Sequence, residues 1–317
     1  MAQSDALRLV VRVARMYYEW GKRQSEIAEQ LGLSQATVSR LLNQAREDGI
    51  IRISVTTPPG VFTELEEDLI RRYELRDAIV VECSSEKDER VIQREIGMAA
   101  GFYLESVIRP NEVIGISSWS ATLLALVDAM HPVPRKNDIQ VVQILGGLGS
   151  PQAEKHAMRL TNRLADLVGG TAITLPAPGI VGSEAALQVL LDDPYIHKAV
   201  QTFDRITTAL VGIGAVEPSH LLADSGNIFS MAELELLRSQ GAVGDILLRF
   251  FDVKGLLVKT ALDARVVSMP LEQLKQVDRS IGVAGGKRKH VAILGAVRGG
   301  WINILVTDRV TAEWLLR

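Results

Sequence analysis

Apolar positions in the first fifty residues recur every three to four places. In "ALRLVVRVARMYY" they are interrupted by Arg8, Arg12 and Arg15. Such a pattern predicts an amphipathic helix, set at Ala6 to Trp20, and excludes a secretory leader, whose apolar centre carries no charge. In "SEIAEQLGLSQATVSRLL" Ile27, Ala28 and Leu31 share one helical face, and Val38, Leu41, Leu42 and Ala45 share one face of a second helix. Ala28 is small where two helices must cross closely, Gly32 suits the left-handed residue that ends a helix, and Ser34 suits an N-cap. Together these predict a helix-turn-helix, and "EDGIIRISV" after it reads as a turn and strand resembling a wing.

The period changes beyond "TTPPG" at 56–60, where two prolines and a glycine can continue neither helix nor central strand. A boundary there divides the chain into domains 1–57 and 58–317. Phe62, Leu65, Leu69 and Tyr73 then mark an amphipathic helix that packs either on its own domain or on a partner subunit. From Asp77 onward the runs "AIVVEC", "VIGIS", "IQVVQIL", "TAITL", "TALVGIG", "SIGVAGG" and "WINILVT" alternate with mostly amphipathic segments. Apolar runs of that length between helical patterns predict an α/β fold with a mostly parallel, helix-covered sheet.

Composition narrows the function. A length of 317 residues suits two domains, and 47% hydrophobic with 23% charged residues excludes disordered and fibrous classes. A net charge of −3 leaves no basic surface over the whole molecule, so contact with nucleic acid must be local. Residues 1–57 carry eight Lys/Arg against six Asp/Glu, and the remainder is net negative. Cys83 is the single cysteine and lies in an apolar run, which reads as a small core residue in a reducing compartment. No apolar run approaches the roughly 18–20 residues of a membrane span, so the expected location is the cytoplasm with no membrane partner.

With the core faces of the helix-turn-helix fixed, the second helix turns Ala36, Arg40, Asn43 and Glu47 outward, with Thr37, Ser39 and Gln44 beside them and Gln35 in the exposed first turn. Such polar side chains meet base edges and phosphates in a major groove. The candidate DNA-contacting residues are therefore Gln24 and Ser25 at the start of the first helix, and Gln35, Thr37, Ser39, Arg40 and Asn43 on the second.

In parallel sheets ligands bind at the carboxyl ends of strands. "GISSWSAT" (115–122) follows one strand and opens a helix, and "GGLGS" (146–150) follows the next, with Ser150 as N-cap and Pro151 at the first helical position. Both read as offering unpaired backbone N–H groups, and the first adds the hydroxyls of Ser117, Ser118, Ser120 and Thr122, as an anion would require. Other motifs fail. "GVAGGKR" lacks Gly at 281 and Ser/Thr at 288 for a nucleotide-binding Walker A loop, and "GIGAVE" places Glu217 where a dinucleotide fingerprint needs Gly. The five histidines show no helical pair spacing, so neither a metal site nor a cofactor is expected.

Across nearly its whole length the chain resembles the sorbitol-operon regulator (SorC) family of bacterial transcription factors. The likeness is carried by "YYEWGKRQSEIAEQLGLSQATVSRLLNQAREDGIIRISV", "ILGGLG", "LPAP", "LVGIGAV", "GAVGDILLRFFDVKG" and "VAGGKRKHVAILGAVRGGWINILVTDRVTAEWLL". The resemblance implies a sugar-binding domain related in fold to ribose-phosphate isomerases and glucosamine-phosphate deaminases. It further implies a homodimer or homotetramer that binds a double-stranded DNA operator under control of a sugar phosphate or polyol, with RNA polymerase as a candidate contact. Carried over by position, Gly146, Gly147 and Gly149 match the family's glycine loop, Asp245 its acidic residue and Lys289 its lysine after "AGG". The implied effector site is Ser118, Ser120, Thr122, Gly146, Gly147, Asp245 and Lys289. "GISSWSAT" is one residue longer than the usual form, and "KRKH" stands where many relatives have an acidic residue beside the lysine. The competing expectation is an active sugar-phosphate isomerase or deaminase, in which Asp245 and Lys289 would be the base and acid, but no His or Glu stands out beside them.

Overall fold

The computed structural model describes residues 2–51, 58, 60–118, 120–133, 138–147, 151–216 and 230–317, with backbone alone at 2–5 and 151–158. The chain forms two compact units, Met1–Pro58 and Pro59–Arg317.

The first unit holds α1 (Ala2–Tyr18), α2 (Gln24–Leu31) and α3 (Gln35–Glu47). Val13, Met16, Ile27, Ala28, Val38 and Leu42 form its core, and Val10, Ala14 and Ala45 a smaller cluster beside it. Gly32 ends α2 at φ +65° and Ser34 caps α3, its Oγ accepting from the Thr37 N–H at 3.1 Å. The first helix stops at Tyr18, short of the expected Trp20, because the chain turns out through the left-handed Gly21 (φ +64°) and leaves Trp20 exposed. Arg46 Nη2 donates to the Tyr18 hydroxyl at 2.7 Å, tying the end of α3 to the end of α1. Gly49 makes the expected turn at φ +69°. The predicted turn and wing strand lie in 47–55, of which residues 52–55 fall outside the described residues.

Strands of the second unit are β1 (Asp77–Val81), β2 (Val113–Ile116), β3 (Gln140–Gln143), β4 (Thr171–Ile173), β5 (Thr208–Gly212), β6 (Gly214–Ala215), β7 (Ala242–Ile246), β8 (Arg249–Asp252), β9 (Arg279–Val283) and β10 (Ile304–Asp308). Seven of them form one sheet in the order β1-β10-β9-β5-β2-β3-β4, every neighbouring pair parallel. Each predicted apolar run supplies one of those strands. Alternation explains why the runs are apolar throughout. Ile114, Ile116, Val141, Leu210, Ile281, Val283, Ile304 and Val306 face one core, while Val113, Val142, Ala209, Val211 and Leu305 face the other.

The helix α4 (Thr63–Tyr73) packs on its own unit: Leu69 is fully buried, Tyr73 Oη donates to the Leu315 carbonyl at 2.6 Å, and Glu66 accepts from the Val80 N–H at 2.9 Å. Helices α5 (Glu89–Val107), α6 (Ala121–Ala129) and α7 (Pro151–Val168) cover one sheet face. The pair α5 and α6 lie close, since a Cβ on Gly97 would stand 2.7 Å from the Thr122 carbonyl oxygen and one on Gly101 2.9 Å from that of Leu126. The other face is covered by α4, α8 (Glu184–Leu191), α9 (Pro194–Gln201), α10 (Met231–Ser239), α11 (His290–Gly299) and α12 (Arg309–Leu315).

Strand order reverses between β2 and β5, since β3 and β4 lie outward of β2 while β9 and β10 lie outward of β5. At the amino ends of the same strands a buried pair, Arg279 with Glu112, is braced by Arg279 donating to Thr208 Oγ1 (2.8 Å) and the Val107 carbonyl (2.6 Å).

The antiparallel sheet β6-β7-β8 was not legible in advance. Its hairpin turns at Leu247 and Leu248, both left-handed (φ 56° and 61°) and both buried, with Ile246 paired to Arg249. Two-residue turns of that geometry normally carry Asn-Gly, so Leu-Leu gives no turn signal.

Candidate DNA-reading surface and effector crevice

On the first unit Gln35, Arg40 and Asn43 are exposed on α3, and Thr37 and Ser39 are half-buried beside them. Thr37 Oγ1 lies 2.9 Å from Ser34 Oγ, so it also braces the cap. Gln24 is half-buried and Ser25 exposed in the first turn of α2. No hydrogen bond or ion pair ties Arg40 to another described residue. A guanidinium left free on an outward face keeps all five donors available for base edges or phosphates.

Polar groups converge at the carboxyl ends of β2, β5 and β9. Ser120 caps α6, its Oγ accepting from the Leu123 N–H at 3.2 Å, and a Cβ on Gly212 would stand 2.8 Å from that hydroxyl oxygen. Ser120 therefore lies where strand order reverses, at the place open sheets offer to ligands. Asp245 leaves β7 opposite Gly214, and a Cβ at 214 would overlap its carboxylate. Its Oδ2 accepts from the Leu248 N–H at 3.1 Å. Lys289 enters from the turn after β9, where Gly286 holds φ +90° and its carbonyl accepts the Lys289 N–H at 2.9 Å.

Asp245 and Lys289 sense each other electrostatically without forming an ion pair among the described residues. Burial raises the Asp245 carboxyl to about 6, opposed by the Leu248 N–H and by Lys289. Burial lowers the Lys289 ammonium to about 8, assisted by Arg288 and opposed by Asp245 and Glu89. A half-buried acid and base held toward their neutral forms are groups short of partners.

Four expected site residues are differently employed. Ser118 is buried and its hydroxyl donates to the Leu145 carbonyl at 3.0 Å. Thr122 is buried where α6 meets α5. Gly146 N–H donates to the Val267 carbonyl at 2.9 Å and Gly147 N–H to that of Ala177 at 2.8 Å. The Ser117 N–H is likewise taken by the Leu210 carbonyl at 3.0 Å. The expectation of unpaired amides is thus corrected at Ser117, Gly146 and Gly147: the first is taken by β5 and the other two because chain 177–179 and residue 267 run alongside. Gly146 is required there since a Cβ would stand 2.6 Å from the Pro178 carbonyl oxygen. Gly149 and Ser150 lie outside the described residues.

Sequence reasoning missed Gly212 and Gly214, dismissed with a failed dinucleotide fingerprint; "GIG" at a strand end was a signal for close approach by other groups. Cys83 matches its core reading, half-buried with burial pushing its thiol up to about 12. No described helix is long and apolar enough to cross a membrane.

A helix-turn-helix unit joined to an α/β unit with a polar crevice at its strand ends defines a one-component regulator, output and sensor on one chain. Residues 58–317 match the family described as "Putative sugar-binding domain", and residues 4–53 match the homeodomain-like domain. The chain belongs to the SorC family of transcriptional regulators. It is 30% identical to the sorbitol operon regulator of Klebsiella pneumoniae over the whole of both chains. To the deoxyribonucleoside regulator of Bacillus subtilis (strain 168) it is 32% identical, covering 98% of this chain and 97% of that one. The crystal structure of the full-length Klebsiella regulator superposes with a TM-score of 0.74 at 30% identity, covering 99% of this chain and all of that one. The relatives are regulators, and the protein is a DNA-binding transcriptional regulator rather than an isomerase or deaminase.

Proposed function

We propose that the protein controls a carbohydrate-utilisation operon in the cytoplasm, with residues 1–57 reading the operator and residues 58–317 binding the effector and joining the subunits. The observation that carries this reading is the convergence of Ser120, Asp245 and Lys289 where strand order reverses. The effector is a sugar phosphate or a polyol: Asp245 accepts from its hydroxyls, Ser120 bonds to its polar head, and Lys289 supplies charge to a phosphate. Ser118, Thr122, Gly146 and Gly147 shape the wall of the crevice. Gln24, Ser25, Gln35, Thr37, Ser39, Arg40 and Asn43 contact the operator.

Selective reading of DNA by one short helix requires a second copy, so the active form is a symmetric dimer or tetramer on a pseudo-palindromic site with half-sites about 10 base pairs, or a multiple, apart. That DNA-bound oligomer is the species that meets RNA polymerase. Sedimentation on operator DNA checks the assembly, and a monomer on a single half-site would refute it. The effector is tested by thermal unfolding against phosphorylated and free pentoses, hexoses and hexitols. A bound ligand at a hundred times its Kd stabilises by about 2.7 kcal/mol and raises the melting temperature. If no sugar phosphate or polyol raises it, the effector reading fails.

A further inference from the structure

Lys289 reaches the crevice from a turn that is gripped from below. Asp308, buried at the end of β10, places Oδ2 2.7 Å from the Gly286 N–H and 2.6 Å from Thr311 Oγ1. The Gly286 N–H also lies 3.1 Å from Thr311 Oγ1, and Oδ1 of the same carboxylate accepts the Thr311 N–H at 2.9 Å, capping α12. Gly285 passes so near that a Cβ there would overlap Oδ2. On the far side of the Gly286 Cα the chain of bonds continues, because the Gly286 carbonyl accepts the Lys289 N–H at 2.9 Å. Arg288 is held aside by Glu89, at 3.0 Å from Nε.

We infer that Asp308, with Thr311, is the positioning residue for Lys289, acting through the backbone of Gly286 to fix where the ammonium enters the crevice. The inference rests on the reading of Lys289 as the group that meets the effector's phosphate. Its geometric content is separable from that reading. A carboxylate is needed at 308 because two donors, Gly286 N–H and Thr311 O–H, meet a single oxygen, Oδ2. In Asp308→Asn one orientation keeps the cap at Oδ1 and turns an NH2 toward both donors, which breaks the grip on the turn. Thr311→Val removes the hydroxyl that orients Oδ2 and is the second acceptor of the Gly286 N–H, so the grip on the turn loosens while Oδ1 still caps α12. The conservative Thr311→Ser keeps every bond.

The test is a titration of Lys289 in the full-length protein, by 13C NMR after reductive methylation, with the signal assigned by its loss in Lys289→Ala. The surroundings acting on this lysine are Arg288, Asp245 and Glu89. In Asp308→Asn and Thr311→Val the Lys289 midpoint should move up toward that of an exposed lysine, and in Thr311→Ser it should stay. Calorimetry with glucitol 6-phosphate, ribose 5-phosphate and the free glucitol and ribose gives the second readout. Affinity for whichever phosphorylated probe binds should fall about ten- to a hundredfold in Asp308→Asn, the scale of a misplacement near 1 Å, with the free sugars changed far less. A Lys289 titration unmoved in folded Asp308→Asn and Thr311→Val overturns the inference, even with the effector reading intact. A titration that moves while Lys289→Ala binds every phosphorylated probe as wild type does upholds the positioning and instead removes the phosphate from Lys289. Should Asp308→Asn fail to fold, Thr311→Val against Thr311→Ser decides the matter alone.

Discussion

The two polar surfaces of this regulator are built in opposite ways. On α3, Gln35, Arg40 and Asn43 stand exposed on a helix whose buried side alone holds it in place, and Arg40 is free of other described residues. At the strand ends, Ser120 is spent in part on a helix cap, Asp245 on the Leu248 N–H, and Lys289 is held by its backbone to Gly286. A surface that reads a long charged polymer keeps its donors solvated and cheap to redirect. A crevice for a small molecule is preorganised and leaves charged groups short of partners until ligand arrives. Loss of a side chain should therefore be felt more at the second surface than at the first.

The strongest way to break this contrast is Lys289→Ala, expected to weaken a phosphorylated effector by roughly 2 to 5 kcal/mol in calorimetry while operator affinity without effector barely changes. Equal binding of the phosphorylated and free sugar by wild-type protein would show that the lysine serves an uncharged polyol instead. Arg40→Ala comes next: operator affinity should fall by on the order of 1 to 3 kcal/mol in a salt-dependent manner, with fold and oligomer intact. Unchanged affinity at moderate salt would remove Arg40 from the interface.

Acidity sharpens the comparison, because titration between pH 5 and 9 should touch the crevice alone. Lys289 must be protonated to hold a phosphate, so effector affinity should fall as pH rises through about 8, by about tenfold per unit above it. Asp245 accepts hydroxyls as the carboxylate, so affinity should also fall as pH drops through about 6. An unphosphorylated effector would lose the alkaline limb. The stability of the unliganded protein has the complementary signs. The raised Asp245 contributes stability at low pH that is lost as pH rises through about 6, and the lowered Lys289 contributes stability at high pH that is lost as pH falls through about 8. Between those values both charges stand uncompensated, and ligand has most to offset.

The smallest effect on ligand binding is expected at the hairpin behind Asp245. Replacing Leu247 and Leu248 by Asn-Gly suits the left-handed geometry and relieves strain of about 1 kcal/mol or more per residue, but the two buried leucines it removes are worth about 2 to 5 kcal/mol each, so the fold should be destabilised. Denaturant unfolding measures the balance. Effector affinity should fall if the turn fixes Asp245 and stay unchanged if it serves stability alone.

Legibility in the sequence followed the same divide. The recognition face came from periodicity, because one helix carries both its core side and its reading side, and the seven parallel strands came from apolar runs buried on two faces. The crevice came only in part. Asp245 and Lys289 were found by resemblance, and the bonds that engage Ser118, Gly146 and Gly147 and the burial of Thr122 were not legible because their partners lie far along the chain, at Leu145, α5, Ala177 and Val267. Gly214 acquires meaning only when β7 pairs with β6, and Asp308 and Thr311 only when the end of β10 meets the turn after β9. No local pattern encodes that meeting.

The pairing of β10 with β1 sets an order of assembly. Asp77 lies beside Ile304 and Val81 beside Asp308, so the strand nearest the start of the sheet-forming region waits for one synthesised far later. The three-helix unit is made of local contacts and forms fast, while a parallel sheet closed by its most distant segments forms slowly. During translation a folded three-helix unit therefore exists before the α/β unit does, and β1 stands without its partner strand over that interval. Chains stalled before β10 should emerge with a folded three-helix unit and an incomplete, aggregation-prone sheet, which gives the cell a reason to degrade incomplete copies quickly.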